Sequence, residues 1–200
     1  MSTSTALYPV FLKLAGLPVV VVGGGPIAAG KLDGLLTAGA HVTVVAPEIT
    51  GAIRALEGKH VRLVKRAFAP ADLDGARWVV AAAPPEVNLQ VAAAATARGL
   101  FVNAVDDTSA ASAYLGGVIR RGEVEVAIST GGTAPALAGL LREALDALLP
   151  AELDRWVEVA KRARADWKRS NVPITQRRSL LLRTLVQIYR SDALVERGAA

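Results

Sequence analysis

Three consecutive glycines, residues 23–25, stand directly after a run of four valines, residues 19–22. The valines predict a strand that is buried on both faces, as in a parallel sheet covered by helices. Gly23, Gly25 and Ala28 match the spacing G-x-G-x-x-G/A, in which the first glycine turns the chain, the second lets a pyrophosphate approach, and the third position packs helix on strand. The spacing therefore predicts a dinucleotide site.

A helix is expected to begin near Pro26, whose missing N–H costs nothing in a first turn, and to stop at Gly39. Its free N–H groups and positive dipole end would face the phosphates. Further contacts are expected from the carboxyl ends of the neighbouring strands, where ligands of such sheets bind. The predicted cofactor-binding residues are Gly23, Gly24, Gly25, Pro26, Ile27, Pro47, Glu48, Ala82, Ala83 and Asn103.

The residues after the second strand bear on the choice of cofactor. An acidic residue about 20 positions beyond the glycines usually holds the ribose hydroxyls. Here the second strand is followed by Ala46, Pro47 and Glu48, so either Glu48 or backbone groups must do so. The nearest basic residue is Arg54. This arrangement favours NAD over NADP.

Two adjacent carboxylates, Asp106 and Asp107, follow the fifth predicted strand at the mouth of the same crevice. A carboxylate there can act as a general base beside a nicotinamide. Adjacent residues of an extended segment point in opposite directions, so only one is expected to face the ligand. The alternative is that both belong to an Asp-Asp-Thr-Ser turn and only cap it.

A second glycine-rich turn follows a later strand and precedes a helix. Backbone N–H groups in such a turn bind carboxylate or phosphate well. The alternative is an ordinary capped turn, with Thr133 as the helix N-cap and Pro135 in the first turn. The predicted substrate-binding residues are Thr130, Gly131, Gly132 and Thr133.

A dedicated metal site is not expected. The chain has no cysteine and only two histidines, His41 and His60, each at the amino end of a predicted strand and away from the crevice. Both are interpreted as structural. Any metal would be a passing substrate.

The elements needed to position these residues follow one another in a regular order. Strands are expected at residues 19–22, 41–45, 61–64, 78–82 and 100–104, with helices at 26–38, 49–57 and 86–98 between them. This alternation predicts an α/β fold, a Rossmann-type doubly wound parallel sheet with right-handed crossovers. Beyond it come a hairpin, with strands at 113–119 and 123–129 joined by 120–122, a helix at 136–148, and helices from 151 to about 190 that break near 172–173.

These patterns divide the chain into a nucleotide-binding domain at 1–112, a hairpin and helix region at 113–150, and a basic helical region at 151–200. The last region holds 11 Lys and Arg against 6 Asp and Glu, whereas residues 1–150 hold 12 of each. Such a charge fits a polyanionic small molecule or a solvated helix face. No aromatic platform accompanies it, so a nucleic-acid partner is not expected. No apolar run is long enough to span a membrane and no signal peptide is recognisable, which favours a cytoplasmic location.

Taken together, these motifs resemble the precorrin-2 dehydrogenase/sirohydrochlorin ferrochelatase family, the N-terminal module of sirohaem synthase. The resemblance rests on five blocks in the family's order and spacing, at residues 8–14, 22–31, 38–48, 103–106 and 127–142. No methyltransferase module follows, which is typical of the stand-alone form. Gly30 stands where the family often has arginine, and Tyr114-Leu-Gly-Gly117 where it usually has Phe-x-x-Pro.

The resemblance implies that NAD oxidises precorrin-2 to sirohydrochlorin, with Asp106 as the catalytic carboxylate. It implies a homodimer built by the hairpin and the following helix, and in some members ferrous iron insertion to give sirohaem. The substrate has eight carboxylate arms, which agrees with the anion-binding turn and the basic C-terminal region. Two alternatives stay open: a non-catalytic NAD-sensing module, and another small-molecule oxidoreductase on the same sheet.

Overall fold

The computed structural model describes residues 6–105, 107 and 109–198, with side chains described as far as Tyr189. The described chain forms two compact units. The first holds the residues up to Leu115 together with Ser129–Ala134, and the second holds Gly116–Ile128 and the residues from Pro135 onward. The three-part division into residues 1–112, 113–150 and 151–200 stays a prediction.

The first unit is built on a five-stranded parallel sheet with the strand order β3-β2-β1-β4-β5. This architecture confirms the predicted doubly wound fold. Its strands are β1 (Pro18–Val22), β2 (His41–Val45), β3 (Val61–Val64), β4 (Trp78–Ala81) and β5 (Val102–Ala104). Its helices are α1 (Pro26–Thr37), α2 (Gly51–Arg54), a short 3-10 helix (Pro70–Leu73) and α3 (Pro85–Thr96).

The sheet has an apolar core on each face because successive side chains of a strand point to opposite sides. Val19 and Val21 of β1 pack with Leu32 of α1 on one face. Val20 and Val22 pack with Val91 of α3 on the other. The uninterrupted valines are therefore explained, since both faces of β1 are buried.

The helix after β2 is shorter than the sequence predicts. Residues 49–57 were expected to be helical, but α2 ends at Arg54. The N–H groups of Leu56 and Glu57 bond three residues back, and Gly58 N–H donates to Val61 O at 3.0 Å. These tighter turns carry the chain into β3, so the expected helix is one turn with turns after it.

The second unit contains an antiparallel hairpin, β6 (Gly117–Arg121) and β7 (Val124–Ile128). The hairpin was predicted, but its first strand begins at Gly117 and not at residue 113. Ala113 N–H donates instead to Val102 O of β5 at 3.0 Å. The connection is the pair Gly122-Glu123 rather than residues 120–122, and Gly122 has the positive φ of 53° that such tight turns favour.

Three helices complete the second unit: α4 (Pro135–Leu148), α5 (Leu153–Arg169) and α6 (Ile174–Gly198). Arg121 of β6 pairs with Asp146 of α4 at 3.0 Å, and Lys161 of α5 pairs with Glu123. Trp156 of α5 meets Tyr189 of α6 edge to face, with ring centroids 6.1 Å apart. No helix within the described chain is long and apolar enough to cross a membrane.

The turn after β1 is packed against both neighbouring strand ends. Gly23 has φ of 130°, and a Cβ built on it would lie 2.1 Å from Ala82 O. A Cβ built on Gly24 would lie 2.0 Å from Glu48 O. Gly25 differs, because nothing lies within 4 Å of the corresponding position. Gly23 and Gly24 are thus required by packing, whereas Gly25 leaves space open.

This difference predicts unequal effects of the same substitution. Gly24→Ser should destabilise the protein by about 1–3 kcal/mol, because the new side chain collides with the Glu48 carbonyl. Gly25→Ser should change stability by less than ~0.5 kcal/mol, because Gly25 is extended and serine is a good N-cap. Denaturant unfolding of both variants tests this, and equal losses would contradict the packing argument.

Candidate functional site

The functional crevice lies where β1 stands between β2 and β4, the point at which the sheet's strand order reverses. Ligands of open α/β sheets bind at such a switch point, outside the carboxyl ends of the strands. Three backbone bonds hold these ends together. Gly23 N–H donates to Val45 O at 2.9 Å, Ala82 N–H to Val22 O at 2.8 Å, and Val105 N–H to Ala81 O at 2.9 Å.

The turn from β1 into α1 fits the pyrophosphate of a dinucleotide. Gly25 is the N-cap of the twelve-residue helix α1, with Pro26 at its first position and no acidic residue in its first turn. The space beside Gly25 is the space that a Cβ would fill. A helix N-terminus with free N–H groups and room for a close approach favours a phosphate.

Pro47 and Glu48 are exposed just beyond β2. Thr50 N–H donates to Gly24 O at 2.9 Å, so the segment that carries Glu48 is tied to the glycine turn. Arg54, the nearest basic residue in the sequence, donates from Nη1 to Ile49 O at 2.6 Å. Arg66, just beyond β3, is paired with Asp72.

A cleft of about 230 Å³ opens on the other side of the glycine turn, towards β4 and β5. It brings together three of the predicted residues, Ile27, Ala82 and Ala83. Asp107, which was expected at the crevice mouth, also lines the cleft, together with three residues that were not among the predicted cofactor contacts: Pro85, Asn88 and Val105. Asn88 could have been noticed in the sequence, because it is a polar residue three positions before Val91 on the buried face of α3.

Asn103 is buried on β5 and holds the segment that follows the strand. Its Nδ2 donates to Ala113 O at 3.0 Å, while its buried Oδ1 has no partner among the described residues. Beside it, Ser112 Oγ accepts from Val102 N–H at 2.8 Å. Val102 and Asn103 at the end of β5 are therefore fastened to Ser112 and Ala113.

Asp106, the predicted catalytic residue, lies outside the described residues. Asp107 is described, and its carboxylate caps a turn. Its Oδ1 accepts from Ser109 Oγ at 2.6 Å, Ser109 N at 2.9 Å and Ala110 N at 3.1 Å. The Ser109 hydroxyl, followed by the Ala110 N–H, lowers the pKa of Asp107. A carboxylate held in this way is a poor base, so the capping alternative describes Asp107 well.

The turn at residues 130–133 makes several hydrogen bonds between its own side chains and backbone groups. Thr133 Oγ1 donates to Thr130 O at 2.6 Å. Because α4 begins at Pro135, the residue before the helix is Ala134 rather than the predicted Thr133. Gly131 N–H donates to Ser129 Oγ at 3.1 Å and Ala134 N–H to Thr130 Oγ1 at 3.3 Å. Gly131 and Gly132 both have positive φ, which gives the compact turn that was expected.

The two histidines lie at the opposite end of the sheet from the crevice. His41 begins β2, His60 precedes β3, and their ring centroids are 5.1 Å apart. Within the described part of the chain, no group of three or more His, Cys, Asp and Glu side chains could hold a metal ion.

Comparisons with known proteins agree with this geometry. Residues 10–117 match the family model described as "Putative NAD(P)-binding". A solved structure titled SirC, precorrin-2 dehydrogenase, superposes with a TM-score of 0.67 at 28% identity and covers 88% of each chain.

Siroheme synthases are also similar. Siroheme synthase 2 of Aeromonas salmonicida is 44% identical over 85% of this chain, and the siroheme synthase of Actinobacillus pleuropneumoniae is 37% identical over 94%. The chain spans 35% and 41% of their respective lengths. The family resemblance predicted from the sequence is confirmed: the chain belongs to the NAD(P)-binding family that its residues 10–117 match, alongside the siroheme synthases and precorrin-2 dehydrogenase.

Proposed function

We propose that this protein is an NAD-dependent dehydrogenase that oxidises precorrin-2 to sirohydrochlorin in sirohaem biosynthesis. The observation that carries the proposal is a dinucleotide crevice at the β1/β4 switch point, in a chain that aligns over 88% of its length with a precorrin-2 dehydrogenase. The reaction removes from the macrocycle a hydride, which NAD accepts when bound, and a proton, which a base must accept.

The protein's own residues would hold the dinucleotide in an extended path across the strand ends. Residues 23–27 would take the pyrophosphate, since Gly25 leaves room and α1 offers its N-terminus. Pro47 and Glu48 would take the adenosine ribose on the β2 side. Ala82, Ala83 and Asn103 would approach the nicotinamide half on the β4 and β5 side.

The arrangement beyond β2 supports NAD rather than NADP. Glu48 would accept hydrogen bonds from the ribose hydroxyls and would repel a phosphate there. Arg66 is paired with Asp72, and Arg54 donates one hydrogen bond to Ile49 O.

Asp106 is proposed as the base. Asp107, its neighbour, already accepts three hydrogen bonds from Ser109 and Ala110, and its lowered pKa makes it a weak proton acceptor. Both histidines lie at the far end of the sheet. The carboxylate that follows Val105 in the sequence, on the β5 side of the cleft, is thus the proposed base.

The substrate carboxylates would be held by the turn formed by Thr130, Gly131, Gly132 and Thr133. Insertion of ferrous iron into the product, if it follows, would use the macrocycle nitrogens as ligands. Iron would then be a second substrate.

A homodimer is proposed from exposed apolar surface in each unit. On α4, large side chains spaced three or four residues apart are at least 40% exposed: Leu137, Leu140, Leu141, Leu145 and Leu148. In the first unit, Tyr8 and Phe11 are 89% and 66% exposed. The spacing places the five leucines on one face of α4, and an exposed apolar helix face is typical of an interface. The cytoplasm is the proposed location.

The first prediction from the proposed function concerns the pyrophosphate. Gly25→Val should abolish measurable NAD binding, because the branched side chain fills the space into which the phosphates would come. The fold should persist, since Gly25 has an extended backbone and open surroundings. Calorimetric titration with NAD and a thermal melt of the same sample test both statements. Unchanged NAD affinity would remove the basis for the site.

The second prediction concerns cofactor choice. Glu48→Gln should lower the ratio of NAD affinity to NADP affinity by roughly tenfold, because the carboxylate that repels the extra phosphate is gone. Glu57→Gln removes an exposed carboxylate from the same connection and serves as the control. A ratio that stays the same in both variants would mean that Glu48 does not select the cofactor.

The third prediction concerns the base. Asp106→Asn keeps the shape of the side chain and removes its basicity, so precorrin-2 oxidation should slow by ~10²–10⁴ with NAD still bound. Asp107→Asn, the matched control, should cost much less. Rates of sirohydrochlorin formation under saturating NAD distinguish the two. A fully active Asp106→Asn enzyme would show that another group or solvent takes the proton.

A further inference from the structure

Asn88 is a buried polar residue in a segment that is otherwise apolar on its inner face. It is 3% exposed, and Val91 and Ala95, three and seven positions further along α3, are both fully buried. A side chain at this position would ordinarily be apolar, since burying an amide is costly unless its hydrogen bonds are made. Among the described residues, only one of the two polar atoms of this amide, Oδ1, has a hydrogen-bond partner.

The orientation of the amide is fixed by its one hydrogen bond. Ala83 N–H donates to Asn88 Oδ1 at 3.0 Å. Because a backbone N–H can only donate, the atom that it meets must be the carbonyl oxygen, and Nδ2 must occupy the other position. Asn88 lines the 230 Å³ cleft, and none of the described residues accepts a hydrogen bond from its Nδ2.

The position of the cleft indicates which part of a dinucleotide lies there. The sheet order places β2 and Glu48 on one side of the glycine turn, and β4 with Ala82 and Ala83 on the other. With the pyrophosphate at Gly25 and the adenosine at Glu48, the remaining half is the nicotinamide nucleoside. Its carboxamide and ribose both offer acceptor oxygens to a free N–H donor.

We propose that Asn88 is a cofactor-binding residue, whose Nδ2 donates a hydrogen bond to an acceptor oxygen of the nicotinamide nucleoside. The inference rests on the proposed function and adds to it a contact that selects the nicotinamide end. Asn88 would thereby have two roles. Its Oδ1 accepts a hydrogen bond from Ala83 N–H after β4, and its Nδ2 binds the cofactor.

The test uses Asn88→Asp, which keeps an oxygen for Ala83 N–H and replaces the donor by an acceptor. NAD should bind this variant at least about tenfold more weakly, because an oxygen of the cofactor would face a carboxylate in place of a donor. ADP carries the same pyrophosphate without the nicotinamide nucleoside, so its affinity should not change. Gln90→Glu, an exposed amide two residues along α3, is the control and should leave both affinities unchanged.

Two results would overturn the inference: unchanged NAD affinity in Asn88→Asp, or equal weakening of NAD and ADP, which would reflect charge alone. ADP-ribose identifies the acceptor oxygen. Weaker binding of ADP-ribose would assign the ribose, and unchanged binding would assign the carboxamide. If the wild-type protein bound no NAD at all, the proposed function itself would fail, a result separate from these.

A measurement on the wild-type protein removes any dependence on the folding of the variant. The chain has three asparagines, Asn88, Asn103 and Asn171, so selective labelling gives three pairs of side-chain amide signals in a nuclear magnetic resonance spectrum. The Asn88 pair should shift when NAD is added and stay in place with ADP. No NAD-dependent shift of that pair would overturn the inference.

Discussion

The first unit depends on one close approach, that of the β1–α1 turn to the strands on either side of it. A side chain at Gly23 would collide with the Ala82 carbonyl, and one at Gly24 with the Glu48 carbonyl. These two contacts bring the ends of β2 and β4 against the end of β1 and aim α1 at the gap. Gly25, in contrast, faces open space. The crevice exists because Gly23 and Gly24 pack closely against neighbouring carbonyls, whereas the space beside Gly25 stays open.

This arrangement explains how residues far apart in sequence come to share one cleft. Backbone hydrogen bonds connect Gly23, Ala82 and Val105 to the strands beside them. These bonds hold the three strand-end segments together. Two asparagines make further hydrogen bonds to the backbone near these strand ends. Asn88 fixes the backbone at Ala83, and Asn103 fastens the loop that follows β5. Among the described residues, each of these side chains has a hydrogen-bond partner for only one of its two amide atoms.

Much of the first unit could be predicted from the sequence because its signals are local. Each of these signals depends on the conformation of a single element. Examples are the four valines of the buried strand β1, Pro26 at the start of α1 and Gly39 after its end. The hairpin boundary could not be found in this way. Residues 113–116 have apolar character, but a long-range bond from Ala113 to Val102 keeps them out of β6. Likewise, the role of Gly24 depends on Glu48, a contact that no spacing rule encodes.

The central claim is that this crevice couples NAD to the oxidation of a tetrapyrrole. The most direct measurement is the stoichiometry of a single turnover by the purified protein, with precorrin-2 limiting and NAD in excess. The account predicts one NADH for each sirohydrochlorin formed, with both appearing at the same rate. NAD binding without any NADH, or sirohydrochlorin formed without matching NADH, would contradict it.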